Sequence, residues 1–209
     1  MSTVAPGVAD PADGSDGQDR FEIVALAASA GGIGALSKVL GGLPADFGVP
    51  VLVVQHLDRR HQTVIADILG RRTGMRVKLA EANEHIAAGT VYMAPPDRHL
   101  LVDAKGVLTL TGSELVHFVR PSADLLFESV AGAYGPRALA TVLSGSGQDG
   151  AMGLAAVKAR GGTTIVQDPA SAEFSGMPDA GVAGGPVDFV LHLDEIGAVI
   201  LGLIDPVTG

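Results

Sequence analysis

The sequence predicts an α/β protein: a three-layer α/β/α sandwich with a mainly parallel, doubly wound sheet and one antiparallel hairpin. Two apolar runs, residues 23–27 and 49–55, lack the alternation of a half-solvated strand, and so predict strands that are covered on both faces. Each run is followed by an amphipathic segment that ends at glycine, at residues 34–43 and 63–73. Strands that alternate with helices favour a parallel sheet between two helical layers.

The rest of the chain continues this alternation. Residues 99–103 and 107–111 flank a turn that contains Gly106, and they predict the antiparallel hairpin. Further strands are predicted at residues 77–80, 90–94, 138–143, 163–167 and 189–193, and further helices at 121–134, 151–160, part of 172–182, and 195–204. In the helix at 63–73, the side chains expected to face the core are Val64, Ile65, Ile68 and Leu69.

Composition narrows the class of protein. The 209 residues carry a net charge of −9, which disfavours binding to nucleic acid or to anionic membranes. The absence of cysteine excludes disulfides, zinc–thiolate sites and cysteine nucleophiles. The sequence shows no signal peptide and no apolar run long enough to cross a bilayer. These features predict a cytoplasmic protein with no direct membrane insertion.

The chain divides into a short tail and one domain. Residues 1–20 are rich in proline, glycine, serine and aspartate, without hydrophobic periodicity. Such a segment buries too little apolar surface to offset its ordering entropy, so we expect a disordered tail or the remnant of a linker. Residues 21–209 are expected to form a single domain.

Three side chains follow strands at the edge where such sheets bind ligands, which is beyond the carboxyl ends of the strands. Ser29 follows the first strand, His56 follows the second, and Asp149 lies in the glycine-rich loop 144–150. A hydroxyl, an imidazole and a carboxylate are the parts of a nucleophile–base–orienter triad. Small residues on both sides of Ser29 leave room for a substrate carbonyl, although the G-x-S-x-G pattern is absent.

Each of these residues also has a simpler interpretation. Ser29 and Asp149 precede predicted helices and are favoured N-cap types, and His56 is suited to an ordinary loop. The helix start after Ser29 can also bind an anion, although G-x-G-x-x-G and G-K-[ST] patterns are absent. The histidines are scattered without metal-ligand spacing, so neither a metal nor another cofactor is predicted.

A basic segment beside His56 interrupts the acidic average. Its residues are Arg59, Arg60, His61, Arg71, Arg72, Arg76 and Lys78. A solvated helix face accounts for it, and so does a basic rim that steers an acidic protein surface toward the cleft. On the second interpretation, Arg59 and Arg60 are the steering residues.

Six blocks stand in one order along residues 21–204: AASAGGIGAL, VLVVQHL, APPDRHLLV, RPSADLLFESVA, VLSGSGQDGAMGL and QDPASAEFSGMPDAG. Together they resemble the catalytic domain of the bacterial chemotaxis protein-glutamate methylesterases. The resemblance implies that Ser29 is the nucleophile, His56 its base and Asp149 the orienting carboxylate. It also implies that the backbone N–H groups of Ala30 and Ser146 hold the oxyanion, where many relatives have threonine and methionine.

The implied reaction is hydrolysis of glutamate 5-methyl esters on the cytoplasmic helices of chemoreceptors, which gives glutamate and methanol. Deamidation of receptor glutamines is a related activity of the family. Typical members carry an amino-terminal receiver domain, for which twenty residues are too few. The resemblance therefore leaves control to a receiver domain or kinase acting in trans, to a truncated regulatory region, or to no restraint. An alternative of another class is a non-catalytic or repurposed module of a signalling complex.

Overall fold

Strands and helices alternate along residues 21–56 and 62–205, which are the residues described by a computed structural model. The strands are β1 Ile23–Ala28, β2 Val51–Gln55, β3 Arg76–Leu79, β4 Thr90–Met93, β5 His99–Val102, β6 Leu108–Thr111, β7 Ala138–Val142, β8 Thr163–Gln167 and β9 Phe189–Leu191. The helices are α1 Gly32–Gly41, α2 Gln62–Gly70, α3 Ala123–Tyr134, α4 Ala151–Ala159, α5 Gly176–Ala183 and α6 Leu193–Ile204. The predicted tail, residues 1–20, lies outside the described part.

One parallel sheet joins seven of the described strands in the order β3-β4-β2-β1-β7-β8-β9. From β1 the chain moves outward through β2 to β3 and β4, and it then returns to the other side of β1 with β7. The strand order therefore reverses between β1 and β7, which is where a doubly wound sheet opens a crevice at its carboxyl edge.

Alternate side chains of the central strand β1 serve two separate cores. Ile23, Ala25 and Ala27 pack in the layer formed with α3 and α4, whereas Val24, Leu26 and Ala28 pack with α1, α2 and α6. All six residues of β1 are fully buried, which explains why its sequence is apolar without alternation. Each fully buried leucine or isoleucine in these layers contributes about 1.5–3 kcal/mol. The predicted α/β/α sandwich is confirmed.

The antiparallel hairpin is also confirmed, and it covers α3. β5 pairs with β6 so that His99 lies opposite Thr111. Leu100 and Leu108 are fully buried in the same core as α3. The backbone N–H of Val102 donates to Ser129 Oγ on α3 at 3.2 Å. The hairpin thereby holds the helix whose amino terminus reaches the candidate site.

The prediction for the core face of α2 is wrong at one residue. Ile65 and Leu69 are buried as expected, but the side chain of Val64 is 55% exposed. Ile68 is half-buried. The buried stripe of α2 runs through Ile65, Ala66 and Leu69, which follows the 3–4-residue helical period and turns Val64 toward solvent.

Two helix starts differ from the predicted bounds because a side chain caps the helix. α3 begins at Ala123 rather than at residue 121, since Ser122 is its N-cap and accepts a hydrogen bond from Leu125 N–H. α6 begins at Leu193, two residues early, because His192 and Glu195 form a capping box. α5 begins only at Gly176, after a short 3-10 turn that Asp168 caps. In the described part of the chain, no helix is both long and apolar enough to cross a membrane.

Candidate active site

Ser29 lies at the end of β1, between the two strands that pair with it. Its backbone N–H donates to the carbonyl of Ser144 at 3.0 Å, which extends the pairing of β1 with β7 by one residue. On the other side, the N–H of His56 donates to Ala28 O at 2.9 Å and extends the pairing with β2. The sheet register therefore brings Ser29 and His56 to the same edge, beside the switch point.

Gln55, the last residue of β2, holds the backbones of Ser29 and His56 in place. Its Nε2 donates to Ser29 O at 2.7 Å and to His56 O at 3.0 Å. The residue is only 2% exposed, so the bonds lie away from solvent and are costly to leave unmade. Gly32 is needed beside it, because a Cβ on Gly32 would lie 2.2 Å from Gln55 Oε1. Sequence reasoning missed Gln55, whose signal was a polar residue at the end of an apolar strand.

The imidazole of His56 is bonded to a buried carboxylate. His56 Nε2 lies 2.8 Å from Asp149 Oδ2, and the two side chains are 11% and 4% exposed. An ionised carboxylate only accepts hydrogen bonds, so Nε2 carries the proton and Nδ1 keeps its lone pair. The bond therefore fixes the imidazole of His56 against Asp149 and leaves Nδ1 as a hydrogen-bond acceptor.

Asp149 is held at the amino terminus of α3. Its Oδ2 accepts from Ala123 N–H at 2.6 Å, and its Oδ1 accepts from Ser122 Oγ at 2.9 Å and from Asp124 N–H at 3.1 Å. Burial raises the pKa of Asp149, but the hydrogen bonds from His56 and from Ala123 N–H outweigh it and hold the pKa below its ordinary value. The carboxylate is thus kept ionised beside His56.

The capping interpretations of Ser29 and Asp149 fail for the helices that follow them. The N-cap of α1 is Gly31, which has φ 73° and makes no side-chain capping bond. The N-cap of α4 is Gly150, again without a side-chain bond. Asp149 instead binds the first turn of α3, 25–27 residues earlier in the chain.

A second carboxylate lies behind Asp149. Asp124 Oδ1 accepts from Gly150 N–H at 2.9 Å and from Gly153 N–H at 2.7 Å, which joins α3 to the start of α4. Burial raises the pKa of Asp124, and the charge of Asp149 raises it further. Its Oδ2 lies 3.2 Å from His117 Nε2. Sequence reasoning did not find that Asp124 supports the site. The one signal was Ser122, the serine that follows a proline and caps α3.

Two cavities meet at His56. The first has a volume of about 540 Å³ and is lined by Ser29, Ala30, Gly31, Gly32, Ile33, Gly34, Gln55, His56 and Glu173. The second, of about 460 Å³, is lined by His56, His117, Phe118, Val119, Ser146, Gly147, Gln148, Asp149 and Ala180. The predicted oxyanion residues thus border the site from opposite sides, Ala30 with Ser29 and Ser146 with Asp149.

The structure joins some of the predicted residues more closely than others. His56 and Asp149 are in direct hydrogen-bond contact, and Ser29 shares a cavity with His56. Among the described residues, Ser29 Oγ forms no hydrogen bond, and Ser29 lines the cavity. The steering residues Arg59 and Arg60 lie outside the described residues. Within the described ranges, no group of three or more histidine, aspartate or glutamate side chains is arranged to hold a metal.

Gly145 controls how closely the loop after β7 approaches Ser29. A Cβ at this position would lie 2.2 Å from Met177 Sδ and 2.9 Å from Ser29 Cβ. We predict that Gly145→Ala displaces Ser29 and lowers kcat about 100-fold for a reaction that uses the Ser29 hydroxyl. The substitution should also cost about 1–3 kcal/mol in the free energy of unfolding. Initial rates and urea unfolding check both numbers.

The matched control for this variant is Gly132→Ala on α3. A Cβ there meets nothing within 4 Å, so a methyl group fits without displacement. Alanine in a helix is favoured over glycine by about 0.8–1.0 kcal/mol, so the control should be at least as stable as the wild type. An active Gly145→Ala protein would contradict the proposed clearance around Ser29.

The fold and the site define an α/β/α protein with a cleft at its switch point that is lined by serine, histidine and aspartate. The family model described as CheB methylesterase matches residues 24–200. The chain therefore belongs to the CheB methylesterase family.

Solved and curated relatives agree with this assignment. The crystal structure of the Thermotoga maritima CheB methylesterase catalytic domain matches with a TM-score of 0.85 and 33% identity, over 88% of this chain and 98% of that one. A putative protein-glutamate methylesterase/protein-glutamine glutaminase of Leptospira interrogans is 38% identical over 88% of this chain and 95% of its own length. Protein-glutamate methylesterase FrzG of Myxococcus xanthus is 40% identical over 88% of this chain, which spans 55% of FrzG.

Proposed function

We propose that this chain hydrolyses glutamate 5-methyl esters on the cytoplasmic helices of chemoreceptors, which gives glutamate and methanol, and that it also deamidates receptor glutamines. The bond between His56 and Asp149, at the edge of the cavity that contains Ser29, is the observation that carries the proposal. Family membership and the relatives' names support the substrate class.

Acylation uses the free nitrogen of His56. Nδ1 takes the proton of Ser29 Oγ as that oxygen attacks the ester carbonyl, and Asp149 stabilises the imidazolium that forms. The imidazolium then gives its proton to the departing methoxide, so methanol leaves and a glutamyl ester of Ser29 remains. In deacylation, water loses a proton to Nδ1 and attacks this ester, and the imidazolium returns that proton to Ser29 Oγ as the glutamate side chain leaves.

Two backbone donors suit the developing oxyanion. The N–H groups of Ala30 and Ser146 make no hydrogen bond to another described residue, and they border the cleft from its two sides. A donor that is already oriented lowers the barrier without reorganisation, and the loss of one such donor typically costs about 10²–10³ in kcat. Because both donors belong to the backbone, alanine and serine serve as well as the threonine and methionine of many relatives.

The test is methanol release from a methylated receptor cytoplasmic fragment. We expect methanol and new glutamate carboxylates to appear in equal amounts, and no methanol from the same fragment before methylation. A fragment with glutamine at the methylation sites should release ammonia. If the chain bound the methylated fragment but released no methanol, it would be a non-catalytic module, and the proposed function would be wrong.

A further inference from the structure

A carboxylate lies beside the proposed nucleophile. Glu173, in the segment between β8 and α5, lines the cavity together with Ser29, Ala30 and His56. The residue is exposed, and it takes part in none of the ion pairs formed between described residues. Its carboxylate therefore lies at the wall of the cavity, without an ion pair to a cation in the described part of the chain.

The backbone around Glu173 is tied to the turn that carries Ser29. Ser144 Oγ donates to Ala30 O at 2.9 Å and accepts from Phe174 N–H at 3.0 Å. The N–H of Gly145 donates to Phe174 O at 2.9 Å. Because Ser144 is only 1% exposed, this link is buried, and it keeps residue 173 in place next to Ala30.

The side chain of Glu173 reaches the amino terminus of α1. A Cβ built on Gly31, the N-cap of that helix, would lie 2.9 Å from Glu173 Oε2. Helix amino termini attract anions through their free N–H groups and dipole. The terminus next to Ser29 would therefore favour a bound carboxylate, and Glu173 places a like charge at that point.

We propose that Glu173 is a specificity residue that distinguishes the neutral ester from the carboxylate product and speeds product release. The proposal rests on the proposed esterase function. The ester is neutral, and the transition state pairs an oxyanion with the imidazolium of His56, so its reacting groups are also neutral in sum. Only the product complex, with a glutamate carboxylate beside neutral His56, gains a net negative charge.

A fixed negative charge at the cavity wall therefore raises the free energy of the product complex more than that of the transition state. An interaction of this differential kind changes product affinity while it leaves the chemical step nearly unaltered. It also disfavours rebinding of demethylated sites, which accumulate on the receptor as the reaction proceeds.

The experiment uses a receptor-helix peptide that carries a glutamate 5-methyl ester as substrate and the same peptide with glutamate as inhibitor. Glu173→Gln keeps the shape of the side chain and removes its charge. Asp46→Asn makes the same change of net charge at an exposed position before β2, at the opposite edge of the sheet. Methanol release gives kcat for the ester and the inhibition constant of the glutamate peptide for each protein.

We expect the inhibition constant of the glutamate peptide to fall about tenfold in Glu173→Gln, the effect of one like charge near a partly solvated site, and kcat for the ester to change by less than the inhibition constant does. Asp46→Asn should match the wild type. In about 1 M salt, where the Debye length is about 3 Å, the wild type and Glu173→Gln should converge. The proposal for Glu173 alone would be overturned by an unaltered inhibition constant in Glu173→Gln, by an equal change in Asp46→Asn, or by a large loss of kcat in Glu173→Gln. Absence of methanol from the wild type would instead contradict the proposed function.

Discussion

Ser29→Ala should lower kcat for methanol release by about 10⁴–10⁶, because it removes the hydroxyl that we propose as the nucleophile of a triad whose members act together. The stability of the Ser29→Ala protein should hardly change. Ser29 Oγ forms no hydrogen bond to another described residue, and the bonds that fix the turn, to Ser144 O and from Gln55 Nε2, belong to the backbone of Ser29. We therefore expect a free energy of unfolding within about 0.5 kcal/mol of the wild type.

Ser29→Ala should therefore lose activity without losing stability. Initial rates with the methylated receptor fragment and urea unfolding of the same samples measure the two quantities. Ser37→Ala removes a hydroxyl from α1 that donates to Ile33 O and does not line the cavity, so it is the control. A Ser29→Ala protein that kept more than a few per cent of the rate would show that another group attacks the ester.

Asp149→Asn should lower kcat by about 10⁴, the cost of replacing the orienting carboxylate by an amide in the triad that we propose. The asparagine can turn its Nδ2 donor toward His56 Nε2, which then becomes the acceptor, and the proton moves to Nδ1. His56 in that tautomer has no lone pair to offer to Ser29. Initial rates against pH measure the effect, and a rate near that of the wild type would exclude Asp149 as the orienting group.

Unlike Ser29→Ala, this substitution should also destabilise the fold. Asp149 accepts from Ser122 Oγ and from the N–H groups of Ala123 and Asp124, and an Nδ2 turned toward His56 in the place of Oδ2 cannot accept from Ala123 N–H. One buried donor left unpaired costs about 1–3 kcal/mol. Urea unfolding at neutral pH should show a loss of this size for Asp149→Asn.

The stability that Asp149 contributes to the fold should decrease at acidic pH. The pKa of native Asp149 lies below its ordinary value of 3.8, so its contribution is complete above that value and is lost as the pH falls through the lower native pKa. Asp124 acts in the opposite direction, because its raised pKa makes its protonation on acidification favour the folded state. The difference in stability between wild type and Asp149→Asn should therefore shrink below about pH 4.

Most of the fold followed from local pattern. The unbroken apolar runs predicted the central strands because β1, β2 and β7 are buried on both faces. The end of a helix was harder to place, because a cap depends on one side chain: the bond between His192 and Asp194 N–H starts α6 inside what had been predicted as strand. Val64 was misplaced because an apolar residue next to a buried stripe has the same composition as a member of it.

The members of the candidate site could be predicted from the sequence, but the contacts that hold them in place could not. Strand ends in a parallel sheet share an edge, so Ser29, His56 and Asp149 could be grouped from the sequence. The contacts of Asp149 with Ser122 and Ala123 could not be, because they join residues 26–27 positions apart through the packing of α3 on α4. The same holds for the place of Glu173 beside Gly31, which depends on the fold of the segment before α5.

Covalent labelling with an ester-like phosphonate, followed by mass spectrometry of peptides, tests the central claim most directly. Such a probe forms a stable adduct only with a hydroxyl that its base activates. We predict one adduct per chain, on Ser29, which forms slowly in Asp149→Asn and is suppressed by the methylated receptor fragment. An adduct on Ser144 or Ser146, or no adduct in a protein that releases methanol, would contradict the assignment of Ser29 as the nucleophile.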